Sequence, residues 1–438
     1  METRIVNAQI VNEHSKKFGD IRIKNHRIEN ISSSLKGISN EIVYDANGKL
    51  LLPGMIDAHV HFREPGLIEK GCLYSESRAA VSGGITSIME MPNTKPAAIT
   101  NKILEEKFEI AKQNCITNFS FYLGASNSNI EELLSINQKK VCGVKLFLGS
   151  STGNLLVDSH NQIEEIFKNI KIPIALHCEV DKIIKNNEQL ALNQFGKNIP
   201  FDQHSKIRSE EACYISTKFA TELAKKHLTN IHILHMTTAR ELEFFTDDIV
   251  ENKHITVEAC PHHLWFSHDD YANKGSLIKC NPSIKTLDDR EALRNAIKTN
   301  LIDTIGTDHA PHLLKEKDNS YFNAPSGMPS VQSALPSLLE YLSPEKIAEK
   351  TAHNPSKIYK CKDRGFIREG YYADLVVIDS NAPHTVKKSN INYKCGWSPF
   401  EGITFSSSII ATFVNGHLAY NNGDFNSSVK GMRLIFDR

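Results

Sequence analysis

Eight short apolar or β-branched runs recur through the middle of this chain. They span residues 54–61, 85–91, 117–123, 141–147, 172–177, 231–235, 254–259 and 302–307. Each ends in polar residues, and stretches of helical period such as 102–113 and 288–298 separate several of them. Eight strand–helix units across roughly 300 residues are what a (β/α)8 barrel requires. A doubly wound open sheet would also alternate strands with helices. No G-x-G-x-x-G stands at a first strand–helix turn, however, and there is no P-loop.

The flanks have a different texture. Residues 4–11, 21–25, 27–31 and 41–44 alternate apolar and polar side chains, and Asn47-Gly48 is a turn signal just after them. Near the other end, 374–379 reads as a buried strand, and 409–414 and 417–420 flank the hairpin signal Asn415-Gly416. The expected architecture is α/β: a (β/α)8 TIM-type barrel over 54–364, with a small β-sandwich domain formed from both termini, 1–53 and 365–438.

Charge narrows the partners. Lys plus Arg number 51, as do Asp plus Glu, so no global positive field exists to hold nucleic acid or an anionic membrane. No apolar run approaches the length of a membrane span. The first residues lead into a strand pattern without a signal-peptide core. Nine cysteines without a C-x-x-C pair argue for a reducing compartment. The expectation is a soluble cytoplasmic globular protein.

In a barrel, chemical groups gather at the C-terminal ends of the strands. The first run ends Asp57-Ala58-His59-Val60-His61-Phe62-Arg63. Side chains two apart share a strand face, so Asp57, His59, His61 and Arg63 align while Ala58 and Val60 pack outward. Two imidazoles so spaced can chelate one ion, although a bare His-x-His is equally a pair of loop histidines. The fourth run holds Lys145 among apolar neighbours. A snorkelling lysine is the plain reading; a lysine that has added carbon dioxide becomes an anionic carbamate able to bridge two metals. The fifth run ends in His177 and the sixth in His235. His232 lies three residues earlier, on the opposite face by strand parity, and is assigned a structural role. The eighth run leads to Asp308, which can ligate a metal through one oxygen and take a proton through the other.

Together these groups terminate five strands and would hold two adjacent divalent ions, with zinc favoured and manganese or cobalt as alternatives. Adjacent His262 and His263 are expected to point oppositely and to pack in a loop. His14, His26, His160, His227, His384 and His417 are read as solvated.

The run Pro53-Gly54-Met55-Ile56-Asp57-Ala58-His59-Val60-His61 resembles the first-strand signature of cyclic amidohydrolases, in the amidohydrolase superfamily. Residues 365–377 are similar to that group's return into its β domain. His61-Phe62-Arg63-Glu64-Pro65-Gly66, Met91-Pro92-Asn93-Thr94, Pro261-His262-His263-Leu264, Asn281-Pro282 and Thr307-Asp308-His309-Ala310-Pro311-His312 look like motifs of its dihydroorotase family. The resemblance implies zinc-dependent, reversible hydrolysis of (S)-dihydroorotate to N-carbamoyl-L-aspartate in pyrimidine biosynthesis. It implies one metal on His59, His61 and Asp308, another on His177 and His235, and carboxylated Lys145 between them. Asp308 would move the proton from water to the leaving ring nitrogen. Arg63, Asn93, Asn281 and His312 would bind the substrate, and a homodimer is a family-based expectation.

Lys145 resembles the lysine-bearing branch of the family, whereas residues 149–154 and 326–330 depart from its common loops. Two rivals remain at this point. Allantoinase or a dihydropyrimidinase/hydantoinase would share the metals without needing the Arg63 clamp. A non-catalytic scaffold of the same fold would be expected to have lost ligands.

Overall fold

The computed structural model describes residues 2–149 and 155–438. Five strands open the chain: β1 (Glu2–Asn12), β2 (Ser15–Lys24), β3 (Arg27–Ser32), β4 (Ile42–Asp45) and β5 (Leu50–Pro53). The eight strands β6 (Met55–Val60), β7 (Ile85–Glu90), β8 (Asn118–Gly124), β9 (Gly143–Phe147), β10 (Ile174–His177), β11 (Ile231–Ile233), β12 (Ile255–Ala259) and β13 (Thr304–Ile305) follow. They pair in sequence order in one parallel sheet. Beyond β13, His309 bridges Val60 in parallel, and the His61 N–H donates to the His309 carbonyl at 2.8 Å, joining the last strand to the first. The fold is the expected (β/α)8 barrel.

Strand parity explains how the barrel fills. Val144, Leu146, Ile174, Leu176, Ile231 and Ile233 belong to the main core with helix residues such as Phe108, Ile166, Phe167 and Leu293. Residues of the other parity, including Tyr122, Ala175 and Leu234, form a separate cluster with Ile56 and Ala58. Ala58 therefore packs with the inner group rather than outward. The β6–β7 register shifts between Asp57 and Val60, which breaks simple alternation there. Helices between the strands carry their own start signals. Thr100 caps Asn101–Asn114, and Thr286 with Asp289 forms a capping box on Leu287–Lys298.

β14 (Leu375–Asp379) returns the chain to the terminal strands. It lies between β5 and Ser408–Val414 in a nine-stranded sheet that draws on both ends of the sequence. β5 was not foreseen as a strand, because its apolar run continues almost directly into β6. Alternation decides its faces: Leu51 and Val377 fill the sheet's own cluster, while Leu50, Leu52, Val376 and Ile378 join the barrel core.

No described helix is long and apolar enough to cross a membrane. All nine cysteines are free.

Candidate active site

At the C-terminal mouth of the barrel lies an open cleft of about 860 Å³. It is lined by His59, His61, Arg63, Asn93, Lys145, His177, His235, Asn281, Asp308 and His312, so all ten site residues expected from the sequence meet there.

His59 and His61 converge on Asp308. Each Nε2 lies 3.1 Å from Asp308 Oδ1. Their other ring nitrogens are held from behind: His59 Nδ1 by Glu258 Oε1 at 2.7 Å, and His61 Nδ1 by Asn93 Oδ1 at 2.8 Å. Acceptors at Nδ1 place each neutral imidazole's proton there, so both Nε2 lone pairs face a carboxylate oxygen. Three converging lone pairs repel one another unless a positive charge lies between them, so the donor set fits a divalent cation. Without one, His59 takes up a proton. Burial opposes that charge, but Asp308 and Glu258 outweigh it and raise the His59 pKa to about 9. Burial pushes His61 down to about 4 despite Asp308.

Asp308 sits three residues past β13 at a φ of 45°, outside strand geometry. Gly306 makes its approach possible, because a Cβ there would stand 2.1 Å from Glu258 Oε2 and 3.1 Å from His59 Cβ.

His177 and His235 form the second group. His177 Nδ1 lies 2.9 Å from His235 Nε2, and His177 Nε2 lies 2.8 Å from Glu179 Oε2. Glu179 also accepts from Arg208. Burial would raise the Glu179 pKa, yet Arg208 and His177 hold it at about 2, so the carboxylate stays ionised. Among the described residues, buried His235 Nδ1 has no hydrogen-bond partner. Lys145, 1% exposed, reaches the same cleft from β9, and burial lowers its pKa to about 7.

Parity does not separate His232 from His235 as expected. β11 ends at Ile233 and His235 adopts a φ of 39°, so alternation is lost between them. His232 Nε2 approaches Glu258 Oε2 at 3.9 Å, on the same side as His59. Its ring nitrogens bond Thr256 and Thr304, and it does not line the cleft. His262 and His263 lie on a short helix, Pro261–Trp265, rather than a strand, and their ring centroids are 4.2 Å apart. Both are buried with Cys260, and among the described residues neither His262 nitrogen has a partner.

The far wall is cationic. Arg63, 7% exposed at a φ of 72°, donates from Nε to the Pro311 carbonyl at 3.1 Å. Its Nη2 stands 3.1 Å from His312 Nε2. Lys70 and Lys279 add two further positive charges to the lining. Asn281 presents an Oδ1 with no hydrogen-bond partner among the described residues. Of the two divergent loops, Ser326 and Gly327 border this wall, whereas 150–154 lies outside the described residues.

Sequence reasoning missed Glu258, Glu179 and Lys70. Glu258 had the same signal as Lys145, a charge inside an apolar strand run. Glu179 follows His177 by two residues, the spacing that singled out His59 and His61.

The profile of the amidohydrolase family matches residues 50–419. The chain belongs to the amidohydrolase family. Among curated relatives of this amidohydrolase, the dihydroorotase of Methanosphaera stadtmanae is 31% identical, over 93% of this chain and 94% of the relative. The dihydroorotase of Methanosarcina acetivorans is 32% identical over 92% and 88%. Among solved structures, the L-hydantoinase (dihydropyrimidinase) of Arthrobacter aurescens superposes with a TM-score of 0.92, at 24% identity and 97% coverage of both chains. The dihydropyrimidinase of Brevibacillus agri does so at 0.90, with 21% identity and full coverage of both. At such identities these structures speak for the fold alone. Family and relatives together make the chain a metal-dependent cyclic-amide hydrolase.

Proposed function

We propose that the chain is a two-zinc dihydroorotase that reversibly hydrolyses (S)-dihydroorotate to N-carbamoyl-L-aspartate in pyrimidine biosynthesis. One observation carries this reading: the cleft that gathers four histidines and Asp308 also presents buried Arg63 beside His312. A cyclic amide without a charged substituent gives that guanidinium no partner, whereas a ring carboxylate does. The dihydroorotase relatives support the same choice.

In this reading His59, His61 and Asp308 would hold one zinc, His177 and His235 the other, and Lys145, as its carbamate, would serve both. A lysine brought to about pH 7 by burial has the free amine that adds carbon dioxide. Nitrogen and oxygen donors without thiolate suit zinc. When bound, such cations lower the pKa of water and polarise the ring carbonyl.

The chain's own groups do the rest. Arg63 and His312 bind the carboxylate and fix the ring's orientation. Asn281 and Asn93 border the same cleft and contribute hydrogen bonds to the ring. Asp308 Oδ1 faces the two imidazoles, leaving Oδ2 to accept a proton from water and return it to the ring nitrogen as the amide bond breaks. Glu258 and Glu179 keep His59 and His177 in register.

The test is a parallel assay of metal-loaded enzyme with dihydroorotate, allantoin, hydantoin and dihydrouracil. Dihydroorotate is expected to have by far the highest kcat/KM. Preference for an uncharged ring would replace this reading with a hydantoinase or allantoinase, and no turnover of any ring would point to a scaffold.

A further inference from the structure

Lys70 lines the cleft just ahead of the helix Leu73–Ser82. Its ammonium is 3.1 Å from His312 Nδ1 and 2.8 Å from Glu316 Oε1. On the other side of the same ring, Nε2 stands 3.1 Å from the Ser326 carbonyl and 3.1 Å from Arg63 Nη2.

An ammonium only donates, so Nδ1 must accept, and the imidazole's single proton then sits on Nε2. That N–H donates to the Ser326 carbonyl. A guanidinium also only donates, so Arg63 Nη2 has no bond to make with a protonated Nε2. Arg63 Nε is already engaged with the Pro311 carbonyl. Two donors therefore stand side by side on the cleft wall, the His312 N–H on the Ser326 carbonyl and Arg63 Nη2 facing a ring nitrogen that cannot accept from it. A carboxylate oxygen entering the cleft gives Nη2 its acceptor.

We propose that Lys70 is a positioning residue for the substrate carboxylate: by holding His312 Nδ1 as an acceptor, it keeps the ring proton on Nε2, so that His312 cannot accept from Arg63 Nη2 and the guanidinium stays open to the anion. This rests on the reading of the substrate as a carboxylate-bearing ring. Without Lys70 the proton can move to Nδ1, where Glu316 Oε2 lies 3.8 Å away. Nε2 would then accept from Arg63 Nη2, and the two residues would satisfy each other instead of the ligand.

The test compares metal-loaded wild type, Lys70→Met and Lys70→Arg with dihydroorotate, alongside their thermal midpoints. Losing one charge-assisted bond predicts a KM in Lys70→Met about tenfold or more above wild type, with kcat nearly unchanged. Lys70→Arg, which still donates to Nδ1, is expected to recover most of that loss. Kinetics of Lys70→Met equal to wild type, a loss confined to kcat, or a defect that Lys70→Arg does not recover would overturn the role of Lys70 alone. Wild-type enzyme that leaves dihydroorotate unhydrolysed overturns the substrate reading, and the role of Lys70 with it.

Discussion

Arg63 and Glu258 show how differently two buried charges can serve one cleft. Arg63 is anchored by Nε on a backbone carbonyl while Nη2 stands beside His312, so the outer edge of the guanidinium is left to face the cleft. Arg63→Met is expected to lower kcat/KM for dihydroorotate by about 100-fold or more, chiefly through KM, because a charged, desolvated bond is lost. Steady-state kinetics check it. Glu258 lies outside the cleft lining, and its bond to His59 Nδ1 sets which nitrogen faces Asp308. Glu258→Gln is expected to weaken metal binding by about 10- to 100-fold, measured by competition with a chelator. The same measurement carries a pH dependence. His59 in the metal-free protein is protonated below about 9, and a cation must displace that proton. Metal affinity should therefore rise with pH between 6 and 8; a flat profile would contradict the ligand assignment.

At the scale of elements, the site is a property of strand ends. β9 and β10 carry Lys145 and His177 within or at the end of apolar strands, and β6 carries His59 in a His-x-His pair, so all three could be picked out from the local sequence. His235 and Asp308 stand where the chain has left the strand with positive φ, so strand parity does not relate His232 to His235, and the eighth strand is only Thr304–Ile305. Gly306 is the element-level control, since only a missing Cβ lets β13 pass His59 and Glu258. Gly306→Ala is expected to cost about 1–3 kcal/mol of stability by overpacking. It should also abolish tight metal binding, which denaturant titration and metal analysis would show together. Unchanged metal content would mean that the strands relax around the methyl group.

At the scale of the molecule, the barrel and terminal sheet are joined by buried polar contacts as well as apolar ones. Asp374, just before β14, receives Arg364 Nη1, the Asn118 side chain of β8 at 3.1 Å and the Asn415 N–H at 2.8 Å. Asp374→Ala would leave the buried Arg364 without its carboxylate partner, a loss expected to be about 3–5 kcal/mol. Urea unfolding should show it, with kcat/KM of the folded fraction preserved because the residue is remote from the cleft lining. Sequence alone determined the architecture, because eight strand–helix periods and two flanking sets of alternating strands admit few ways to bury their apolar faces. It also marked ten of the residues that line the cleft, through spacing and through resemblance to known motifs. Only the tertiary structure decided what stands behind them: Glu258 at His59, Glu179 and Arg208 at His177, and Lys70 at His312. Glu258 is 199 residues from His59 and Lys70 is 242 from His312; Glu179 is only two from His177, but the Arg208 that holds it is 29 residues further on. Local periodicity reports which face a side chain takes, and closure of the barrel determines what it meets there.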